Sequence, residues 1–229
     1  MKSTFADRVN HFNKTLHFTG SLPGGIRMMN PFMDPQVYQT AAAFYNKYYH
    51  DNQQRRLILG INPGRLGAGA TGVPFTDPKR LTSLCGLPYE GKLLHEPSSV
   101  FVYEMITAFG GIREFYAQYY IHSVCPLGLV IKDEKGKEKN YNYYDSKPLQ
   151  ESLQEFIEWN IRLQLDMGCA TDTCFCLGTG KNYQYLSALN ERKKYFGRLI
   201  PLEHPRFIVQ YKSRDKEKYI TDYLRKLQS

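Results

Sequence analysis

Hydrophobic positions along this chain alternate between two kinds of pattern. Short continuous apolar runs occur at Leu57–Ile61, Tyr119–Val124, Cys174–Leu177 and Leu199–Leu202, each followed by a turn and then by apolar residues at helical spacing. Continuous rather than alternating runs predict strands buried on both faces. Between them, Val37, Ala41, Phe44 and Tyr48 share one helical face, and Asp34-Pro35 supplies a cap and a first-turn proline. Ser98 reads as the cap of a helix carrying Phe101, Val102, Met105, Ile106 and Phe109, which Gly110-Gly111 ends. Leu149, Leu153, Phe156, Ile157 and Ile161 form a third stripe. Ser213 reads as the cap of a last helix burying Tyr219, Ile220, Tyr223, Leu224 and Leu227, and Phe5, Val9, Phe12 and Leu16 mark a first one.

Strands alternating with helices predict an α/β fold, a three-layer α/β/α arrangement around a central four-stranded parallel sheet. No long linker, repeat or compositional break interrupts the 229 residues. One domain over 1–229 is expected, with N-terminal helices in 1–50 packed on it. The segment Lys132–Asn140, in which opposite charges nearly cancel, reads as a surface loop.

Composition narrows the function classes. Hydrophobic residues at 42% and charged residues at 23% exclude a disordered chain. No run approaches the length of a membrane span, and Met1–Asp7 lacks the apolar stretch of a secretory leader. Cysteines at 85, 125, 169, 174 and 176 form an odd, uneven set, which points to a reducing, cytoplasmic setting rather than a disulfide framework. The net charge of +8 is uneven: residues 191–229 hold eleven Lys and Arg against five acids. A polyanionic partner such as nucleic acid accounts for this excess, and so does a solvated basic tail helix.

Parallel α/β sheets bind ligands outside the carboxyl ends of their strands. Those ends are Gly60-Ile61-Asn62-Pro63-Gly64, Ser123-Val124-Cys125-Pro126, Gly178-Thr179-Gly180-Lys181-Asn182 and Glu203-His204-Pro205-Arg206. Together they give a candidate pocket holding Asn62, Ser123 and His204. Gly67–Gly72 matches G-x-G-x-x-G, but its glycines start several residues after the strand and run into Pro74 and Pro78. It therefore reads as a helix-free, glycine-rich approach for a flat ligand and not as a dinucleotide site. Cys169, Cys174 and Cys176 lack paired ligand spacing and read as core residues. No metal and no cofactor are expected.

Gly60-Ile61-Asn62-Pro63-Gly64 and then, without a gap, Thr71-Gly72-Val73-Pro74-Phe75 resemble the first motif of the single-strand-selective monofunctional uracil-DNA glycosylases, G-M-N-P-G followed by T-G-V-P-F. Asn30-Pro31 resembles a further family feature, and His122-Ser123-Val124-Cys125-Pro126-Leu127 is similar to H-N-L-C-P-L. His204-Pro205-Arg206 stands where the family has H-P-S-P-R. The resemblance runs from about residue 26 to the C-terminus.

This resemblance implies a uracil-DNA glycosylase-like fold and a monomer without a cofactor. Its implied reaction is hydrolysis of the N-glycosidic bond of uracil, or a related deaminated or oxidised base, in single- or double-stranded DNA. Asn62 would orient the attacking water and His204 would donate to the base oxygen. Phe75 would stack on the flipped base, and backbone amides near Ile61 and Phe75 would read its oxygens. Gly64 takes the place of a bulky residue that crowds the base C5 position in related enzymes, so substituted pyrimidines should be tolerated. Pro205, Arg206 and Phe207 would form the wedge that fills the gap left by the base. Lys181, Lys212 and Arg214 would contact phosphates.

Two departures from the pattern stand out. Ser123 replaces the asparagine that reads the uracil edge, which widens the expectation to other deaminated bases, with Asn140 or Asn142 as compensating groups. The last motif is shortened. No carboxylate lies in these motifs, so a strong general base is not expected. His122, within a strand, reads as structural. A non-catalytic binder of damaged DNA with the same fold is the alternative from a different class.

Overall fold

The structure, a computed structural model, describes residues 3–229. In chain order it comprises α1 (Phe5–Thr15), β1 (Ile26–Met29), α2 (Pro35–Tyr48), β2 (Arg55–Gly60), α3 (Ala68–Thr71), α4 (Pro78–Ser83), α5 (Pro97–Phe109), α6 (Ile112–Gln118) and β3 (Tyr119–Ser123). There follow β4 (Gly128–Lys132), β5 (Glu138–Tyr141), α7 (Lys147–Asp166), β6 (Cys169–Leu177), α8 (Lys181–Lys193), β7 (Arg198–Leu202), α9 (Pro205–Tyr211) and α10 (Lys216–Leu227). Among the described residues no helix is long and apolar enough to cross a membrane.

β3, β2, β6 and β7 form the central sheet in that order, all parallel, as the middle layer of a three-layer α/β fold. The apolar runs predict these four strands, since Leu57, Leu59, Tyr120, Cys174 and Cys176 are almost completely buried. Strand order places the functional site. From β2 the chain crosses to β3 on one side, whereas from β6 it crosses to β7 on the other. Loops leaving β2 and β6 therefore diverge, and a crevice opens between their carboxyl ends.

Several expectations are corrected. The Lys132–Asn140 segment is not a loop: with β1, the hairpin β4–β5 makes a second, antiparallel sheet of order β1-β4-β5. Its turn is built by the Asp133 carboxylate, which accepts the N–H groups of Lys135 (3.0 Å) and Lys137 (2.9 Å), and by Gly136 at φ +74°. Residues 1–50 are not purely helical, because β1 lies between α1 and α2. Gly67–Gly72 is not helix-free, because Ala68–Thr71 makes one turn that Gly72 closes at φ +71°. Ser98 does not cap α5. Pro97 occupies the first helical position and puts Glu96 at the cap. Ser213 begins a 3-10 turn, and α10 starts at Lys216.

The amino end of β2 is anchored by a buried cation. The Arg55 side chain is fully buried and its guanidinium lies 4.9 Å from the Phe5 ring centroid and 4.7 Å from that of Tyr49. It donates to both Asp51 carboxylate oxygens at 2.8 Å and to the Tyr116 carbonyl at 2.7 Å. Such a charge is tolerable only while all of these partners remain. Asp51→Ala should cost about 2–3 kcal/mol in urea unfolding, somewhat less than a fully buried pair because Asp51 is partly exposed. Adding Arg55→Met should recover part of that loss. An Asp51→Ala protein with the parental urea midpoint would exclude this role for the pair.

Candidate active site

An open cavity of about 530 Å³ occupies the crevice between the ends of β2 and β6. Asn62, in the loop after β2, is held at both ends of its amide. Its Nδ2 donates to the Tyr141 carbonyl (3.1 Å) and its Oδ1 accepts the Tyr143 N–H (3.3 Å). The amide orientation is thereby fixed, and one Oδ1 lone pair remains for a further donor. Tyr143 is itself locked, its hydroxyl donating to Asn182 Oδ1 at 2.7 Å at the start of α8.

Phe75 forms an aromatic wall. It has φ +52°, a left-handed conformation unusual for a bulky side chain. Its ring lies against Gly60, where a Cβ would stand only 3.2 Å from the ring edge. The ring centroid lies 5.9 Å from that of His204. Among the described residues, neither the Ile61 nor the Phe75 backbone N–H donates to a protein acceptor, so both are available to a ligand.

His204 caps α9, its Nδ1 accepting the Arg206 N–H at 3.1 Å. That bond assigns the hydrogen of the neutral ring to Nε2. Burial, reinforced by the nearby Arg206 charge, lowers its pKa to about 4. The ring is therefore a neutral donor across the physiological range. Ser123 ends β3 beside Gly60; it is buried, lines the cavity, and its hydroxyl makes no hydrogen bond among the described residues.

Sequence reasoning missed a carboxylate. Glu96, which lies outside the motifs, lines the cavity. At the cap of α5 it makes no capping bond. Its backbone N–H is held by Asp77 Oδ2 (3.0 Å), while its side chain packs so closely on Gly67 that a Cβ there would meet Oε2. Oε2 is buried without a hydrogen-bond partner. Burial first, and the charge of Asp77 second, raise the Glu96 pKa to about 7, with Arg206 acting in the opposite direction. Pro97 was the available signal, because a first-turn proline marks the residue before it as the cap. Glu203 also lines the cavity, accepting from the Thr179 hydroxyl at 3.1 Å.

The sequence model of the uracil DNA glycosylase superfamily matches residues 47–228, a span that includes every cavity-lining residue. The chain belongs to that superfamily. Its members are DNA glycosylases, and the resemblance seen in the motifs agrees with this assignment. The crystal structure of wild-type SMUG2 from Pedobacter heparinus is 59% identical and superposes with a TM-score of 0.97, covering 100% of this chain and 98% of the other. No curated protein matches the chain.

Within this glycosylase fold the cavity gathers Ile61, Asn62, Gly64, Phe75, Ser123, Lys181, His204, Arg206 and Phe207. Pro205 is buried in the first turn of α9 and does not line it. Lys212 and Arg214 are exposed after α9 and also lie outside the lining. The basic excess of the C-terminal segment is only partly directed at the site, since Lys193 pairs with Glu158 (2.7 Å), Lys216 with Glu104 (2.7 Å) and Lys226 with Asp222 (2.8 Å). Gln210 and the largely exposed Tyr211 line the cavity from α9, one helical turn beyond Phe207 and Arg206, and sequence reasoning missed both. Asn140, in β5, and Asn142, in the loop after it, do line it.

A carboxyl whose pKa is raised on folding binds its proton more tightly in the native state. Its stabilising contribution is therefore complete at low pH and is lost as pH rises from its unfolded value through about 7. Glu96→Gln should accordingly melt above the parent at pH 8, by roughly 2 kcal/mol given that the group lines an open cavity, and the two should converge below about pH 4.5. Thermal melts across this range measure the difference. Identical curves at pH 8 would rule out the buried acid.

Proposed function

We propose that the chain is a monofunctional DNA base glycosylase that hydrolyses the N-glycosidic bond of uracil, or a related deaminated base, and leaves an abasic site. One observation carries this reading: a fixed Asn62 amide, the Phe75 ring and a neutral His204 donor share one cavity at the β2/β6 crevice. Bond cleavage creates positive charge on the sugar and negative charge on the departing base. Asn62 Oδ1 accepts a hydrogen from the attacking water and orients it toward the cationic sugar. His204 Nε2–H, together with the free N–H groups of Ile61 and Phe75, supports the anionic base. Phe75 holds the flipped base by its face, and Gly64 leaves room beside it.

Arg206 and Phe207, supported by the buried Pro205, occupy the space vacated by the base. Lys181 contacts phosphate from the start of α8, and Lys212 and Arg214 contribute beyond the cavity. We read the chain as one domain over 1–229 that acts as a monomer inside the cell on chromosomal DNA, because one chain supplies all of these groups. Ser123 favours a second reading of specificity. Its single hydroxyl offers the base edge less discrimination than an amide, so another deaminated base is a candidate substrate.

Single-turnover cleavage of uracil-containing oligonucleotides, followed by alkali and gel separation, tests the reaction. Asn62→Ala and His204→Ala should each lower the rate by about 10²–10³-fold. The absence of any abasic product above these controls would sink the proposal. Specificity is read on a panel of deaminated bases, where Ser123→Asn should shift preference toward uracil. An unchanged ranking would remove Ser123 from base selection.

A further inference from the structure

The second sheet, which the motif resemblance leaves without a role, presents one charged face beside the cavity. Pairing Arg27 with Val130, Val130 with Asn140 and Lys132 with Glu138 puts Arg27, Lys132, Glu138 and Asn140 on the same side. Asn140 lines the cavity, and its Oδ1 accepts the Arg65 backbone N–H at 3.2 Å, which ties the loop after β2 to this face. Glu138 is held by the Arg27 guanidinium at 2.7 Å. Its carboxyl lies below the ordinary range because of the Arg27 hydrogen bond and charge, with Arg65 and Lys132 contributing their fields. One cation thus pairs with this carboxylate and two more lie near enough to act on its charge. Arg65 Nε is buried with no acceptor among the described residues, which leaves a strong donor unused. Lys132 makes no ion pair among the described residues, and the Arg27 side chain is 59% exposed.

We propose that Arg65, Arg27 and Lys132 form a phosphate-binding ledge that holds the DNA backbone along the β1–β4–β5 sheet, separately from the contacts made by α9. Glu138 fixes the direction of Arg27 and leaves a net positive surface, to which the Arg65 guanidinium adds its charge. This ledge rests on the reading of the chain as a DNA glycosylase. It adds a second wall to the substrate path, so that the strand is gripped on the sheet side while Arg206 and Phe207 act on the base stack. Phosphate contacts of this kind carry position and not sequence, so the ledge should serve every substrate base equally.

The test is equilibrium binding of fluorescein-labelled oligonucleotides carrying a stable abasic-site analogue, single-stranded and duplex, between 50 and 200 mM salt. Neutralising one phosphate-binding cation should lower the slope of log K against log salt by about 0.7 for a single strand and about 0.9 for a duplex. Arg65→Gln should remove one such increment, and Arg27→Gln with Lys132→Gln two more. Lys139→Gln is the control: Lys139 lies on the opposite face of β5 and pairs with Asp133 at 3.2 Å, so its removal should leave the slope unchanged. At saturating DNA the cleavage rate of the Arg27→Gln/Lys132→Gln protein should match the parent, with only KM raised. Parental slopes in the ledge variants, or an equal drop in Lys139→Gln, would overturn the ledge while leaving the glycosylase reading intact. A parent protein that shows no salt-dependent DNA binding would overturn both.

Discussion

The cavity depends on one hydroxyl. Thr71 is fully buried, and its Oγ1 donates to the Thr76 carbonyl at 2.6 Å while accepting the Val73 N–H at 3.2 Å. That clasp closes the 71–76 turn and holds Phe75 in a left-handed conformation that costs an isolated residue about 1–2 kcal/mol. Thr76 passes the constraint onward through its contact with the Tyr103 hydroxyl (2.9 Å), deep in α5. Only with the turn closed does the Phe75 ring lie in the space left by the missing side chain of Gly60. The aromatic wall, the floor of the cavity and the end of the central strand are therefore one packed unit. Gly72 completes it, because a Cβ there would stand 2.7 Å from Ala41.

Around this unit the groups proposed to touch the reacting atoms carry little fixed charge. His204 is neutral, Asn62 is an amide, and Glu96 lies near the midpoint of its titration at neutral pH. Charged side chains also line the cavity, on Lys181, Glu203 and Arg206, and continue on the second sheet. Low local charge suits a reaction that separates charge within the substrate itself, since a fixed cation or anion near the scissile bond would favour one half of the transition state over the other. A polyanion would then meet these cations, while Asn62 and His204 offer it uncharged polar groups.

The central sheet was legible because its strands are buried on both faces and leave continuous apolar runs. Asn62, Ser123 and His204 were legible as strand-end residues, and the motif spacing added Phe75. The second sheet was hidden for a physical reason. Strand β5 is short and carries Glu138, Lys139 and Asn140, so it has no apolar run, and only the Asp133–Gly136 pair marks its turn. Glu96 was hidden by the choice of cap: Ser98 has the stronger capping side chain, but Pro97 fixes the helix start two positions earlier. Tyr211 and Gln210 were hidden because a helix brings them back over the cavity one turn after Phe207, a proximity that linear motif reading does not capture.

The double tether of Asn62 also restricts what this fold could become. A carboxylate at position 62 would keep the Tyr143 N–H but turn its other oxygen toward the Tyr141 carbonyl, acceptor against acceptor. That contact would force the side chain either to swing out of register or to hold a proton, which would cancel the basicity gained. A carboxylate at this position would therefore require the Tyr141 peptide to turn over as well. The end of β5 and the loop after it thus fit an amide at position 62 and no carboxylate.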